Sequence, residues 1–271
     1  MGTPVRHDEL ALALGFALEL ADVADEISLR YFSRSPAVFT KQDGTLVTQA
    51  DREIETVLRE RIEERFPGHV VLGEEQGLSG GGVGVGVGVG SGSPRWVVDP
   101  IDGTNNFAWG IPIFATLIAL QVGGEIEVGV VSAPALGERY DAAAGLGARM
   151  NGSPIRVSDV GTLAQSRVGF ASWGGWVEAG LDRQWGSILT RCRRSRGFGD
   201  FWGHTLVARG AAEAMAEPDL QPWDVAALSV IVVEAGGRLT DFSGAPFRGR
   251  GSCLTTNGLV HDEILAELTA G

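Results

Sequence analysis

Apolar residues recur every three or four positions in two stretches near the start of the chain. The first stretch covers residues 8–32, and the second covers residues 51–66, where Pro67-Gly68 interrupts the pattern. This spacing places apolar side chains on one face of a helix and polar side chains on the other. The sequence therefore predicts that the chain opens with two amphipathic helices.

Strand-like patterns follow these two helices. Residues 69–72 and 96–98 are short apolar runs, and acidic residues come soon after each of them. Residues 113–122 and 126–133 have a strand-like composition and are joined by Gly123-Gly124, which is a hairpin signal. The first half of the chain is therefore predicted to form mainly antiparallel strands.

The second half of the chain alternates between helical and strand-like patterns. Strands are expected near 167–171 and 212–216, and the helical residues 223–234 end at the stop signal Gly236-Gly237. Further helical patterns lie near 176–190, 200–209 and 259–269, and further short strands near 238–241 and 252–256. An antiparallel first half followed by an alternating second half predicts stacked helix and sheet layers, a layered α+β and α/β fold.

The length of 271 residues allows one large domain or two packed lobes. We expect a single domain with an α+β lobe at about residues 1–150 and an α/β lobe at about residues 151–271. Residues 79–93 are almost wholly Gly, Val and Ser, which predicts a flexible surface insertion. The alternative is an edge strand, because Val and Gly alternate there, but glycine loses much conformational entropy when it is ordered.

The charge balance narrows the classes of partner. The chain carries 22 Lys and Arg residues against 34 Asp and Glu residues, a net charge of −12. This sign disfavours nucleic-acid binding and suits a protein that collects divalent cations. Cys192 and Cys253 form no Cys-x-x-Cys pair, so neither a zinc knuckle nor a disulfide framework is indicated. The sequence shows no signal-peptide pattern and no membrane span, so we expect a cytoplasmic protein.

Four short segments place acidic residues where chemistry could use them: Thr48 to Asp51, Glu74-Glu75, residues 99–104, and Trp223-Asp224. Three of them have a structural alternative. Thr48 and Asp51 have the spacing of a helix capping box. Glu74-Glu75 could be a solvated strand end, and Asp224 could favour the dipole of the helix that it opens.

The segment Asp99-Pro100-Ile101-Asp102-Gly103-Thr104 is harder to explain structurally. Two carboxylates about 4 Å apart repel each other by about 4 kcal/mol at an effective dielectric of 20, so this pair needs a cation or a shared proton. Oxygen ligands with no neighbouring His or Cys favour Mg²⁺ or Mn²⁺ over zinc. The histidines have no ligand spacing, and we expect His204 to be a packed or surface residue.

Three longer motifs contain most of these acidic residues: Gly73-Glu74-Glu75, Trp96-Val97-Val98-Asp99-Pro100-Ile101-Asp102-Gly103-Thr104-Asn105-Asn106-Phe107 and Trp223-Asp224-Val225-Ala226-Ala227. Together they resemble the signatures of the inositol monophosphatase family of metal-dependent phosphatases. The resemblance covers nearly the whole chain and keeps the family's order of motifs. It implies an alternating α-β-α-β-α sandwich and Mg²⁺-dependent hydrolysis of small phosphate monoesters. Members of the family often form homodimers, so a homodimer is an expectation here.

The resemblance also implies a set of metal ligands. Glu74, Asp99 and the backbone carbonyl of Ile101 correspond to ligands of a first ion, and Asp99, Asp102 and Asp224 to ligands of a second. Glu74 corresponds to a residue that helps to hold a third, loosely bound ion. The expected cofactor is therefore two or three Mg²⁺ ions, with Mn²⁺ as a substitute.

The remaining catalytic roles also come from the resemblance. Thr104 corresponds to the hydroxyl that positions the attacking water, Asp51 to the acid that polarises this threonine, and Glu74 is expected to act with them. The backbone amides of Gly103 and Thr104 would meet the phosphate if they begin a helix, and Asp102 and Asp224 also border the substrate. The sequence has no Cys-x₅-Arg loop and no Gly-x-Ser-x-Gly motif, so we expect direct in-line attack by metal-activated water.

The choice of substrate depends on a second resemblance. Residues 196–202, with 206–210 and 216–220, resemble the histidinol-phosphate phosphatase branch of the family, and we expect Phe201 to be core. Asp200 and Glu217 would face the ammonium of histidinol, although Glu217 could instead be a solvated acid at a strand end. The predicted reaction is hydrolysis of L-histidinol phosphate in histidine biosynthesis. The alternatives are inositol-1-phosphate, sugar phosphates or 3′-phosphoadenosine nucleotides, and, in another class, a catalytically silent metal-binding regulator.

Overall fold

The computed structural model describes residues 4–32, 38–40, 46–80 and 93–270. The α-helices of this part are α1 (Pro4–Phe32), α2 (Gln49–Arg65), α3 (Thr104–Ala108), α4 (Trp173–Glu178), α5 (Asp182–Arg191), α6 (Asp200–Ala208), α7 (Pro222–Glu234) and α8 (His261–Thr269). The first strands are β1 (Val38–Thr40), β2 (Leu46–Thr48), β3 (Val70–Gly73), β4 (Gly77–Gly80), β5 (Arg95–Asp102), β6 (Ala115–Val122) and β7 (Glu125–Ala133). The later strands are β8 (Glu138–Ala143), β9 (Gly147–Met150), β10 (Ser153–Pro154), β11 (Arg167–Phe170), β12 (Arg194–Arg196), β13 (Ala214–Leu220), β14 (Arg238–Thr240) and β15 (Gly251–Thr256).

Two large sheets carry the fold. The first has eight strands in the order β10-β9-β8-β7-β6-β5-β3-β4, and every neighbouring pair is antiparallel except β3 with β5. The second has five strands in the order β12-β11-β13-β15-β14, with β11 parallel to both of its neighbours. Strands β1 and β2 form a separate antiparallel pair. The predicted antiparallel first half is confirmed.

Three layers of helices enclose these sheets. Helices α1 and α2 cover one face of the eight-stranded sheet, where Leu20, Ile54 and Trp96 are fully buried. Helices α6 and α7 lie between the two sheets, where Ile231 packs with Tyr140. Helices α4, α5 and α8 cover the far face of the five-stranded sheet. The layers alternate α-β-α-β-α, as the family resemblance implied.

Helix α7 approaches the first sheet closely because the facing strand has no side chain at one position. A Cβ atom on Gly129 of β7 would lie 2.5 Å from the carbonyl oxygen of Ala227 on the helix. Any larger residue would push the helix away from the sheet. Gly129 therefore sets the distance between the sheet and α7, whose first turn contains Asp224.

Two predicted element boundaries were wrong. The helical pattern at 176–190 is divided between α4 and α5, because Gly180 adopts a left-handed conformation with φ of 70° and ends the first helix. The strand expected to end at Asp99 continues as β5 to Asp102. The second difference shapes the candidate site.

The predicted insertion at 79–93 lies largely outside the described residues. Ser79 and Gly80, the first two residues of the predicted insertion, belong to β4, which pairs with β3. Its flexibility stays a prediction. Within the described ranges, none of the helices combines the length and the apolar character that a membrane crossing requires.

Candidate active site

A β-bulge at the end of β5 turns two carboxylates toward the same layer. In a regular strand, residues three positions apart point to opposite faces. Asp99 pairs with Leu117 and Asp102 pairs with Ala115, so β5 uses three steps where β6 uses two. Ile101 accordingly packs beneath α1 and α2. The extra residue allows Asp99 and Asp102 to share the opposite side.

The third carboxylate of this cluster comes from α7. Asp224 is the third residue of the helix, and its Oδ2 accepts a hydrogen bond of 2.8 Å from the backbone amide of Gln221. Asp99, Asp102 and Asp224 each offer an oxygen, and these oxygens lie within 4.8 Å of one another. Asp224 therefore combines its capping role with membership of the acidic cluster.

The electrostatics of the cluster fit a divalent cation. Burial, reinforced by repulsion from Glu74 and Asp102, raises the pKa of Asp99 well above its usual range. Burial and Asp200 raise the pKa of Asp102, and burial raises that of Asp224 to about 7. Among the described residues, Asp99 Oδ1 is buried without a hydrogen-bond partner. A hard cation would satisfy this oxygen and relieve the repulsion, so these residues fit a metal with oxygen ligands.

Glu74 reaches the cluster through the pairing of two parallel strands. Gly73 at the end of β3 pairs with Val98 of β5, and the Glu74 amide donates to the Val98 carbonyl at 3.3 Å. The backbone of Glu74 therefore lies beside Asp99, and both residues line the same cavity.

Glu55 holds the turn that carries Glu74, and the sequence analysis did not identify it. Its carboxylate is fully buried and accepts hydrogen bonds from the amides of Glu75 at 2.7 Å and Gln76 at 3.0 Å. Arg59 donates to Glu55 at 2.8 Å and also to the Gly77 carbonyl at 2.5 Å. The only local signal was an i, i+4 acid–arginine pair, which is common on exposed helices.

Asp51 divides its two oxygens between a cap and the site. Oδ2 accepts from the amide of Thr48 at 2.8 Å and from its hydroxyl at 2.5 Å, which forms the capping box of α2. Oδ1 lies 3.5 Å from the hydroxyl oxygen of Thr104. Burial raises the pKa of Asp51 to about 7, against the opposing effect of the Thr48 bonds. The capping box predicted for Asp51 is therefore present, and its second oxygen faces Thr104; its catalytic role stays a prediction.

The segment after Asp102 forms the short helix α3. Gly103 caps it with φ of 82°, and a Cβ there would lie 2.9 Å from the Ile113 carbonyl, so only glycine fits. The Thr104 hydroxyl donates to the Ile101 carbonyl at 2.9 Å, which is shorter than its contact with Asp51. Gly103 and Thr104 lie at the start of this helix, as the predicted contact with phosphate requires, and both line the cavity.

A second acidic group lies beside the first. Asp200 is the first residue of α6 and has a left-handed φ of 52°. The Asn106 side-chain amide donates a hydrogen bond to its Oδ2 at 3.2 Å. The next amide, that of Phe201, donates to Asp102 at 2.6 Å and ties α6 to the carboxylate cluster. Burial and repulsion from Glu217 raise the pKa of Asp200 to about 7. Asn106 was not assigned a role from the sequence.

Glu217 is buried on β13, with 6% of the residue's surface exposed, which excludes a solvated strand end. His204 of α6 lies with its Nε2 3.3 Å from Glu217 Oε1 and its Nδ1 2.8 Å from the Thr255 hydroxyl. His204 is a packed residue, as expected, but it also borders the cavity.

A single cavity of about 200 Å³ unites these groups. Apart from Asp51, which lies behind Thr104, all predicted site residues line it: Glu74, Asp99, Ile101, Asp102, Gly103, Thr104, Asp200, Glu217 and Asp224. Segments far apart in sequence therefore meet at one place.

Residues 10–270 match the profile of the inositol monophosphatase family. The chain belongs to this family. Among its relatives, a protein of Mycobacterium tuberculosis named histidinol-phosphatase is 44% identical over 98% of this chain and 99% of its own length. A histidinol-phosphatase of Streptomyces coelicolor is 39% identical over 94% of this chain and 96% of its own length.

Solved structures of the inositol monophosphatase family agree with the fold. The IMPase of Thermotoga maritima superposes with a TM-score of 0.81 at 31% identity and covers 94% of this chain and 96% of its own. The phosphomonoesterase class predicted from the sequence is confirmed. The family is metal-dependent, and the carboxylates of Asp99, Asp102 and Asp224 form a cluster able to hold a metal.

Proposed function

We propose that this inositol monophosphatase family member is a Mg²⁺-dependent enzyme that hydrolyses L-histidinol phosphate to L-histidinol and phosphate in histidine biosynthesis. The observation that carries the proposal is the pairing, in one cavity, of a metal-type carboxylate cluster with a second acidic group at Asp200 and Glu217. The first group suits the phosphate end of the substrate. The second suits a cationic group beyond it, and the names of the relatives agree with this substrate.

Glu74, Asp99, the carbonyl of Ile101, Asp102 and Asp224 are the residues that would hold two or three Mg²⁺ ions. Bound there, Mg²⁺ supplies positive charge that neutralises the phosphate oxygens and lowers the pKa of water. Carboxylate and carbonyl oxygens form a ligand set that suits Mg²⁺ and Mn²⁺ better than zinc.

Thr104 and Asp51 handle the attacking water. Hydrolysis forms a bond from the water oxygen to phosphorus and breaks the bond from phosphorus to the ester oxygen. The Thr104 hydroxyl orients the water by accepting a hydrogen bond, and for this step it turns its own proton from the Ile101 carbonyl to Asp51 Oδ1. The pKa of Asp51, raised to about 7, suits a proton acceptor at neutral pH.

Asp200 and Glu217 bind the half of the substrate that does not react. In the described part of the chain, neither carboxylate forms an ion pair with Lys or Arg, and Glu217 pairs only with His204. The primary ammonium of histidinol is a cation that both could accept through charge-assisted hydrogen bonds. Inositol presents hydroxyl groups at the same distance from its phosphate, so it would leave the two acids without a counter-charge.

A substrate panel tests the proposal. We expect the highest kcat/KM for L-histidinol phosphate, followed by inositol-1-phosphate, fructose bisphosphate and adenosine monophosphates, with activity restored to EDTA-treated protein by Mg²⁺ or Mn²⁺. A preference for inositol-1-phosphate contradicts the substrate but keeps the enzyme class. Absence of phosphate release from every substrate indicates a silent metal-binding regulator.

Glu217→Gln separates recognition from chemistry. Loss of one partner of a desolvated charged pair costs about 2–5 kcal/mol, so kcat/KM for histidinol phosphate should fall by at least about tenfold. Phenyl phosphate has no ammonium and serves as the control substrate, whose turnover should change little. An equal loss on both substrates contradicts the assignment of Glu217.

The cytoplasmic location and the homodimer remain predictions. Light scattering of the purified protein tests the homodimer.

A further inference from the structure

His204 lies where it can control the second acidic group. It belongs to α6, it is 1% exposed, and both of its ring nitrogens have partners. Met215, Glu217, Cys253 and Thr255 alternate along β13 and β15 with Ala214, Ala216 and Leu254, which pack against the outer helices. The alternation turns Glu217 and Thr255 toward α6. The imidazole ring bridges these two side chains.

The chemistry of the two partners determines where the ring carries its proton. A Glu217 carboxylate can only accept a hydrogen bond, so Nε2 of His204, 3.3 Å away, must donate. Nδ1 is then free to accept the hydroxyl proton of Thr255 at 2.8 Å. The other neighbour of this hydroxyl is the Cys253 sulfur at 4.0 Å, a weaker acceptor.

We propose that His204 is a positioning residue that sets substrate specificity, as a neutral Nε2–H ring that holds Oε1 of Glu217 and leaves Oε2 for the substrate ammonium. The role in specificity rests on the proposed function. The ring cannot itself hold the phosphate, because Asp102 and Phe201 tie the start of α6 to the carboxylate cluster, whereas His204 lies one turn further along the helix.

A neutral ring matters because the ammonium needs a negative partner. A doubly protonated His204 would neutralise Glu217 and compete with the substrate cation. A ring protonated on Nδ1 alone would place a lone pair against the carboxylate and push it away. Only the Nε2–H form orders Glu217 and keeps its charge available.

The proton position is tested on the wild-type protein without any substrate. NMR of isotope-labelled histidines has only four imidazole rings to resolve, and His204→Phe identifies the Nδ1 and Nε2 signals of His204. We expect the Nε2–H tautomer at neutral pH. A proton on Nδ1 overturns the inference, whatever the substrate of the enzyme is.

The specificity role is tested with four variants and two substrates. His204→Phe removes the donor and should raise KM for histidinol phosphate by about tenfold while kcat changes by less than about threefold. His204→Gln can place an amide N–H near the position of Nε2 and should restore KM to within about threefold of the wild type. Phenyl phosphate has no ammonium, so its turnover should fall much less than that of histidinol phosphate in both variants. Combined with Glu217→Gln, His204→Phe should add no further loss.

His261 provides the matched control. It is also fully buried, with its ring nitrogens 2.9 Å from the Thr240 hydroxyl and 2.8 Å from the Thr256 hydroxyl, and it does not line the site cavity. His261→Gln should lower the melting temperature without changing the ratio of the two substrates.

The outcomes separate the two proposals. If the wild type does not prefer histidinol phosphate, the proposed function fails. If the wild type prefers it and Glu217→Gln removes the preference, but His204→Phe does not raise KM, only the role of His204 is overturned. Equal losses of His204→Phe on both substrates indicate a structural role and overturn it as well.

Discussion

Replacing Asp99 by Asn removes a negative charge from the most crowded part of the acidic cluster. The side chain is 2% exposed and its Oδ1 has no hydrogen-bond partner among the described residues. Asn keeps the shape and offers N–H groups to the neighbouring carboxylates. We therefore expect Asp99→Asn to stabilise the metal-free protein while it abolishes activity.

The magnitude follows from the distances. Two charges 4.8 Å apart, the limit within which the three carboxylates lie, repel by about 3.5 kcal/mol at an effective dielectric of 20. The gain in stability has an upper limit, because a repelled carboxylate can take up a proton instead of staying charged. For a carboxyl group whose pKa rises from 3.8 to about 7, as for Asp224, ionisation destabilises the folded protein by at most about 4 kcal/mol. We expect a gain of about 2–4 kcal/mol in the free energy of unfolding, or roughly 5–10 °C in Tm.

The gain has a defined pH dependence. Carboxyl groups with a raised pKa in the folded state destabilise the protein when they ionise, so the metal-free wild type should lose stability as the pH rises from about 4 through about 7. Asp99→Asn should flatten this slope. Mg²⁺ should stabilise the wild type, by binding only the folded state, and should leave the variant nearly unchanged.

Thermal denaturation at pH 4, 6 and 8, in EDTA and separately with Mg²⁺ in place of EDTA, measures all of these effects. Glu213→Gln is the matched control, since Glu213 is fully buried but hydrogen-bonded to Arg167 and Ser158. Burial raises its pKa, but the bonds from Arg167 outweigh burial and hold the pKa low, so its loss should destabilise. A metal-free Asp99→Asn protein that melts below the wild type at pH 8 would refute the electrostatic reasoning.

Three further predictions test other parts of the molecule. Thr104→Ala and Asp51→Asn should each lower kcat with little change in KM, and the double variant should lose no more than the worse single one; additive losses would separate the two residues. Glu55→Gln should weaken Mg²⁺ binding measured by titration calorimetry by about tenfold with the fold intact, because it loosens the turn that carries Glu74; unchanged affinity would leave Glu55 structural. Burial lowers the pKa of His261 to about 4, so this residue should cost up to about 3 kcal/mol of stability as the pH falls from about 6.5 to 4, and His261→Gln should reduce that loss in urea titrations.

Local patterns predicted much of the fold. The periodicity of residues 8–32 and 51–66 identified α1 and α2, because the spacing that produces an amphipathic face depends only on residues of the same segment. Gly123-Gly124 identified the β6–β7 hairpin for the same reason. The break between α4 and α5 was missed, since a single glycine inside an apolar pattern gives little warning of a left-handed turn.

The site shows the same division between local and long-range information. Motifs with fixed spacing revealed Asp99, Asp102 and Asp224, which line one cavity. Glu55 and His204 carry no motif, and their importance comes from partners 20 residues and 13 residues away along the chain. Such contacts exist only once the layers have been assembled, so single-sequence patterns could not identify them.

The bulge in β5 makes the acidic cluster sensitive to the number of residues as well as to their identity. Adding one residue between Asp99 and Asp102, with the one-residue bulge kept, would separate them by three regular steps and turn one carboxylate toward the α1–α2 layer, although both aspartates remain in the sequence. At this point of the chain, one added residue should therefore be as damaging as the loss of a ligand. The Gly123-Gly124 turn lies at the other end of the neighbouring strand, and no site side chain depends on the number of residues in it. An added residue there should cost only loop entropy.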